Sequence, residues 1–204
     1  MAERQQHRDG RTTDTRHLIL NEAEKLYYAG GYERISLQVI ADHLEISKAA
    51  LFHHFKNKRE LFFEMLLLIL THMREMFESS IDKEELMIRE KLYLVMQRLA
   101  KEATFDMMRF RREEYVLLDP TQQREVNARW HADMFDIIQK VFRDGIEQGA
   151  LRIHDTTLSA YLFLNMCILL PHTDNPVRSE MEQAGRDGYI NALLDMLLEG
   201  LNKK

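Results

Sequence analysis

Between Ile46 and Glu60 the chain reads Ser47-Lys48-Ala49-Ala50-Leu51-Phe52-His53-His54-Phe55-Lys56-Asn57-Lys58-Arg59, with four cations, two histidines and no acid. The whole chain has 204 residues and a formal charge of −5. A concentrated positive stretch in such a chain is where a polyanion is expected to bind. The first 60 residues carry +1 and the remainder −6, so an acidic body would approach a polyanion tip first. A charge run is often no more than a solvated face, but this one coincides with a two-helix pattern.

Upstream, Leu37, Ile40, Ala41 and Leu44 recur at helical spacing. Two short helices joined by Glu45-Ile46-Ser47 make a helix-turn-helix, with Ser36 and Ser47 as oxygen-bearing N-caps. The small Ala41 lets the helices cross closely, and Ile40, Leu44, Ile46, Leu51 and Phe55 form the apolar seam. The second helix is expected to enter the major groove by its N-terminal half, presenting Lys48, Ala49 and Ala50, with His53 one turn on. Lys48 has the donors for guanine, and the alanine methyls suit thymine C5-methyls. Ser36, Gln38 and Lys58, at helix N-termini, are candidate phosphate contacts. Ser47, Phe52 and Lys56 complete the expected DNA-binding set. His54, beside Leu51 and Phe55, reads as structural, and Tyr32 suits either backbone contact or core packing.

From Thr15 to Leu61 the ordered set Ile19-Leu20, Ala23, Leu26-Tyr27, Gly30-Gly31-Tyr32, Ser36, Ile40-Ala41, Ile46-Ser47-Lys48, Leu51-Phe52-His53-His54-Phe55, Lys58 and Leu61 resembles the tetracycline-repressor (TetR) family of bacterial transcription regulators. The resemblance implies about nine helices, three that bind DNA and a remainder that senses a small molecule and dimerises. It also implies a repressor released from its operator by that ligand. Three residues depart from the family pattern. Glu45 stands where a turn glycine is frequent, Ala49 where a glycine is, and Phe52 where a tyrosine is, so phosphate affinity leans on Lys48, Lys56 and Lys58.

Three prolines and eight glycines, with recurrent Leu, Met, Glu, Lys and Arg, favour an all-α fold. The longest apolar runs, 61–70 and 161–171, are too short to span a membrane, and residues 1–16 lack the apolar core of a signal peptide. The single Cys167 forms no intrachain disulfide, so a reducing cytoplasm is expected. A disordered arm is expected over residues 1–12, then helices over about 13–29, the pair above, 58–79, one opened by Asp82 and Glu85 with Ile81 and Leu86 as a staple, and 105–117. Asp119-Pro120 with Gln122 starts a long helix stopped by Gly149. Asp155 caps the next, which Pro171 ends, and a last helix covers about 178–201. The expected domains are 1–57 for DNA and 58–204 for ligand and dimer, divided at Asn57, which with Glu60 makes a capping box.

Phe62, Met65, Ile69 and Met73, with Tyr93, Met96, Met107, Phe110, Trp130, Met134, Ile138, Phe163 and Met166, could line one adaptable apolar cavity. Such stripes also form ordinary core; the resemblance makes the cavity reading competitive. Arg109, Glu113, Asn127, His131 and Asn165 are its candidate polar contacts. A homodimer is expected through the last two helices. On one, Leu158, Tyr161, Leu162, Asn165, Met166 and Leu169 leave it apolar almost all round. On the other, Gly185, Gly188 and Ala192 permit close approach beside Tyr189, Leu193, Met196 and Leu197. A palindromic operator follows, with recognition helices roughly 34 to 36 Å apart. No metal-ligand pair, P-loop or dinucleotide turn appears, so neither an enzyme, a cofactor nor a metal is expected. The alternatives are an activator, or a helical dimeric interaction protein without DNA binding.

Overall fold

The computed structural model describes residues 2–83, 85–102, 105–168, 170 and 185–199, with side chains from Asp14 onward except that of Glu102. The described helices are α1 (Ala2–Gly30), α2 (Leu37–His43), α3 (Lys48–His54), α4 (Lys58–Ile81), α5 (Ile88–Glu102), a short α6 (Met107–Arg109), α7 (Pro120–Trp130), α8 (Asp136–Glu147), α9 (Thr156–Ile168) and α10 (Arg186–Glu199). Two 3-10 turns, Tyr32–Arg34 and Tyr115–Leu117, and two π-helical segments, Phe110–Glu114 and His131–Phe135, lie between them. No described helix is long and apolar enough to cross a membrane.

The chain packs as two compact units, residues 1–69 with 109–126 and residues 70–108 with 127–204. In the first, Ile19, Leu20, Ala23 and Tyr27 give α1 one buried face, and Ile35 with Ile40, Ala41, Leu51 and Phe55 of the helix-turn-helix is buried in the same unit, where α1 packs on the Tyr32–Arg34 turn and on α2. Leu61, Phe62 and Met65 are fully buried as well, with Phe62 and Tyr27 rings 5.8 Å apart. These packing units are therefore drawn differently from the expected functional domains, since the start of α4 is core to the first unit. Where the sequence reading expected an arm over residues 1–12, α1 begins at Ala2. Ala2-Glu3-Arg4-Gln5-Gln6 are all strong helix formers.

In the second unit, Phe77, Leu92, Val95, Met96, Phe142, Phe163, Ile190 and Leu194 are buried, and α10 packs on α5 and α9. Asp155 Oδ1 caps α9 by accepting from Thr157 and Leu158 N–H groups at 2.8 and 3.2 Å. Gly149, at φ 71°, ends α8, with its N–H on the Ile146 carbonyl and that of Ala150 on Gly145, the Schellman pattern. The opening expected at Asp82 is corrected. α4 runs on to Ile81 and α5 starts at Ile88, where Glu90 Oε2 accepts the Met87 N–H at 2.7 Å. The long helix expected from Pro120 to the Gly149 stop is present as one unbroken helical run to Glu147, with a π-helical turn at His131–Phe135 inside it. That turn brings Asp133 inside, 2% exposed, where Arg129 donates to it at 2.7 Å and Arg74 at 3.4 Å. The ends expected at Pro171, Arg178 and Leu201 lie outside the described residues.

Candidate functional site

The turn of the helix-turn-helix is built by backbone rather than by side chains. α2 ends in a Schellman motif, with Ile46 N–H on the Ala41 carbonyl at 3.0 Å and Glu45 N–H on Asp42 at 3.3 Å. The residue that must then be left-handed is Glu45, at φ 53°. A Cβ-bearing residue there costs on the order of 1 kcal/mol relative to glycine. Ser36 and Ser47 cap as expected, accepting the Val39 and Ala50 N–H groups at 3.4 and 3.1 Å.

α3 buries Leu51, with Phe55 next beyond it, and turns the opposite face to solvent. Lys48, Ala49, Phe52 and His53 are exposed along that face and Ala50 is half-buried, a stripe set by the helical repeat; Lys56, past the end of the helix, is exposed as well. Phe52 is 46% exposed, which suits contact with an apolar base edge or a sugar. His54 is half-buried, and burial, then His53, then Arg16, hold its pKa below the ordinary histidine value. Arg16, which the sequence reading did not single out, sits over the Phe55 ring at 4.9 Å and pairs with Glu64 at 3.1 Å. Gln38 gives its amide to Asp42 at 2.6 Å.

Asn57 Oδ1 accepts the Glu60 N–H at 2.9 Å and so caps α4, while Glu60 Oε2 accepts the Lys56 N–H at 2.7 Å. Lys58 lies over the face of Tyr32, its Nζ 4.1 Å from the ring centroid, and the Tyr32 ring meets Phe62 edge-on at 4.9 Å. Glu114 reaches this corner from the first π-helical segment. It accepts from the Tyr27 hydroxyl at 2.6 Å and from the Tyr32 N–H at 3.0 Å. Nothing in Arg111-Arg112-Glu113-Glu114 marks the last as buried, because only the π turn swings it inward.

The second unit holds a cavity of about 60 Å³ lined by Met73, Phe77, Leu99, Phe105, Met107, Trp130, Met134, Leu164, Cys167, Ile168 and Leu170. Met73, Met107, Trp130 and Met134 of the expected lining are thus brought together. Phe62, Met65, Ile69 and Phe110 are instead buried in the first unit. Met96, Ile138 and Phe163 are fully buried in the second without lining the cavity. Tyr93 takes a hydrogen bond from Gln97 at 3.1 Å, and Met166 is half-buried. Asn127 is exposed, as is His131, which pairs with Asp136 at 3.1 Å and stacks on Phe135 at 4.4 Å. Of the other polar candidates, Arg109 turns toward Glu114 in the first unit, at 3.3 Å, and Glu113 pairs with Arg112 at 2.6 Å. Asn165 is exposed, its amide on the Tyr161 carbonyl at 2.8 Å. Burial among these apolar groups pushes the Cys167 thiol pKa up, which leaves it un-ionised.

On α9, Leu158, Tyr161 and Leu162 are 57%, 42% and 49% exposed, and Met196 on α10 is 79% exposed. These four are large apolar side chains left exposed on two helices that pack together. Asn165, Gly188 and Ala192 are exposed with them, and Tyr189, Leu193 and Leu197 are half-buried. A Cβ at Gly188 would meet no heavy atom within 4 Å, whereas Gly185, at φ 73° before α10, is required by its backbone. Leu169 lies outside the described residues.

Residues 19–65 match the family of bacterial regulatory proteins, tetR family. A curated relative from Bacillus subtilis (strain 168), the uncharacterized HTH-type transcriptional regulator YhgD, is 25% identical over 166 residues, 77% of this chain and 82% of its own. Among solved structures, the TetR family transcriptional regulator PfmR from Thermus thermophilus is 27% identical with a TM-score of 0.61, over 91% of this chain and 96% of that one. AibR, crystallised with isovaleryl coenzyme A and operator DNA, is similar in fold, with TM-score 0.59 at 24% identity over 89% and 96% of the two chains.

Proposed function

We propose that the chain, whose residues 19–65 match the tetR family of bacterial regulatory proteins and which is similar to an HTH-type transcriptional regulator over 166 residues, is a transcriptional regulator of that kind: a cytoplasmic homodimeric repressor which a small molecule releases from a palindromic operator. The observation that carries the DNA reading is the exposed stripe Lys48, Ala49, Phe52 and His53 on α3, with exposed Lys56 just beyond its end, backed by fully buried Leu51. Residues 1–57 would read the DNA and 58–204 would hold ligand and partner. Lys48 donates to a base edge, and Lys56 and Lys58 meet phosphates. Ser36 and Ser47 have their hydroxyl acceptors on helix N–H groups, and this leaves their hydroxyl protons to donate.

The effector is read as a largely apolar small molecule, from the cavity lining. At about 60 Å³ the cavity is far below the volume of an ordinary ligand site. The effector therefore has to displace side chains, and Met73, Met107 and Met134 are the residues best able to yield. Ligand that prefers the expanded form shifts the population away from the DNA-competent one, by several kcal/mol if release is to be near complete. The exposed apolar face of α9 and α10 is assigned to the second subunit.

Selection of bound sequences from random DNA, followed by anisotropy across a salt range, tests this reading. The expected result is a palindrome with half-sites one turn apart and an affinity that falls steeply with salt. Lys48→Ala should relax preference at one position per half-site. A selection that enriches nothing sinks the DNA reading. Sedimentation at low micromolar concentration should show a dimer that Gly188→Leu weakens, and an undisturbed dimer would remove Gly188 from the interface.

A further inference from the structure

Glu114 is 4% exposed, and both oxygens of its carboxylate are spent on the end of α1. Oε2 accepts the Tyr27 hydroxyl at 2.6 Å and Oε1 the Tyr32 N–H at 3.0 Å. Arg109 Nε stands 3.3 Å from Oε1 and matches its charge. Gly31, between the two tyrosines, has φ 77°, and a Cβ there would stand 2.6 Å from Oε1. The turn and the carboxylate are thus fitted to each other. Tyr32, fixed through its backbone, lays its ring edge-on to Phe62 and offers the face to the Lys58 ammonium at 4.1 Å. Lys58 is the first residue of α4.

The geometry points to Glu114 as a positioning residue for the DNA contact made by Lys58, acting through the Gly31-Tyr32 turn. Glu114 does not itself touch DNA. Its carboxylate holds the turn, the turn holds the ring, and the ring holds a long flexible cation in one place at a helix N-terminus. Preorganisation of this kind strengthens binding by lowering the ordering cost at the interface. The inference rests on the reading of Lys58 as a phosphate contact and is independent of the effector.

The test uses the full-length protein and the duplex recovered by selection, with anisotropy across a salt range. Glu114→Ala, Glu114→Gln and Lys58→Ala are compared singly and as doubles, each checked for folding by circular dichroism and thermal melting. Glu114→Ala should weaken binding roughly three- to tenfold in the parent and less than about twofold in the Lys58→Ala background. Its salt slope should fall toward that of Lys58→Ala, about 0.9 below the parent for one lost phosphate contact. Glu114→Gln keeps an oxygen for the Tyr32 N–H and should fall between; it carries the same comparison if the alanine variant does not fold. Equal loss in both backgrounds, or none in either, overturns the proposal while Lys58 stays a contact. If Lys58→Ala changes neither affinity nor slope, the Lys58 reading has failed and the proposal falls with it.

Discussion

The α2–α3 seam and the cavity beside Trp130 are built on opposite terms. Ile40 and Leu51 are fully buried and Phe55 nearly so, in a seam drawn from fewer than twenty consecutive residues. The cavity gathers side chains from Met73 to Leu170 and still leaves about 60 Å³ unfilled. A surface that reads DNA has to present its donors in one geometry, so its support is packed without slack. If the cavity is the effector site proposed above, it has to repack to admit a ligand, and unbranched methionine with soft contacts suits that role. The seam has one flaw of its own, the left-handed Glu45.

The largest effect expected from this contrast is at Leu51. Leu51→Ala should cost about 2 to 5 kcal/mol, read from denaturant unfolding, and should remove DNA binding with it. A loss under about 1 kcal/mol would mean the seam relaxes as readily as the cavity does. At the cavity, Leu99→Phe should fill space rather than create strain and raise stability by about 0.5 to 2 kcal/mol, while blunting any effector-dependent change in Trp130 fluorescence. A destabilised variant would show that the walls are already close-packed. Glu45→Gly should stabilise the first unit by about 1 kcal/mol, seen as a higher denaturant midpoint at unchanged slope. No shift would mean that the surrounding hydrogen bonds hold the left-handed turn without cost.

The smallest effect is one of pH. His54 has a folded-state pKa below its ordinary value, chiefly through burial, so between the folded pKa and about 6.5 the unfolded chain binds the extra proton. Its contribution is complete above about pH 6.5 and is lost as pH falls through the folded value. His54→Asn should therefore flatten the decline in stability that begins as pH falls below about 6.5. If the parent and the variant lose stability in parallel, His54 titrates no differently in the two states.

Short-range chemistry made much of the molecule legible. Ser36, Ser47, Asn57, Asp119 and Asp155 cap where their positions before helical runs require, because each bond joins residues two or three apart. The exposed stripe of α3 follows from helical periodicity once one face is assigned to the core. The α5 start was less legible: Asp82 with Glu85 has the spacing of a capping pair, but the helix starts at Ile88, where Glu90 accepts the Met87 N–H instead.

The helical fold, most of its caps and the face that α3 turns outward were therefore readable from the chain, since these depend on neighbours within a turn or two. Which apolar stripe is core and which is cavity wall was settled only by packing between distant elements, because Met65 and Met134 are the same residue type and differ only in what lies against them. The same packing fixed the fate of two carboxylates. Glu114 sits in a polar run that reads as surface and Asp133 is a lone acid between Ala132 and Met134, and each lies buried in a π-helical turn that local propensity does not anticipate. They are stable there because their partners, Tyr27 and the Tyr32 N–H for one, Arg74 and Arg129 for the other, are brought by the fold.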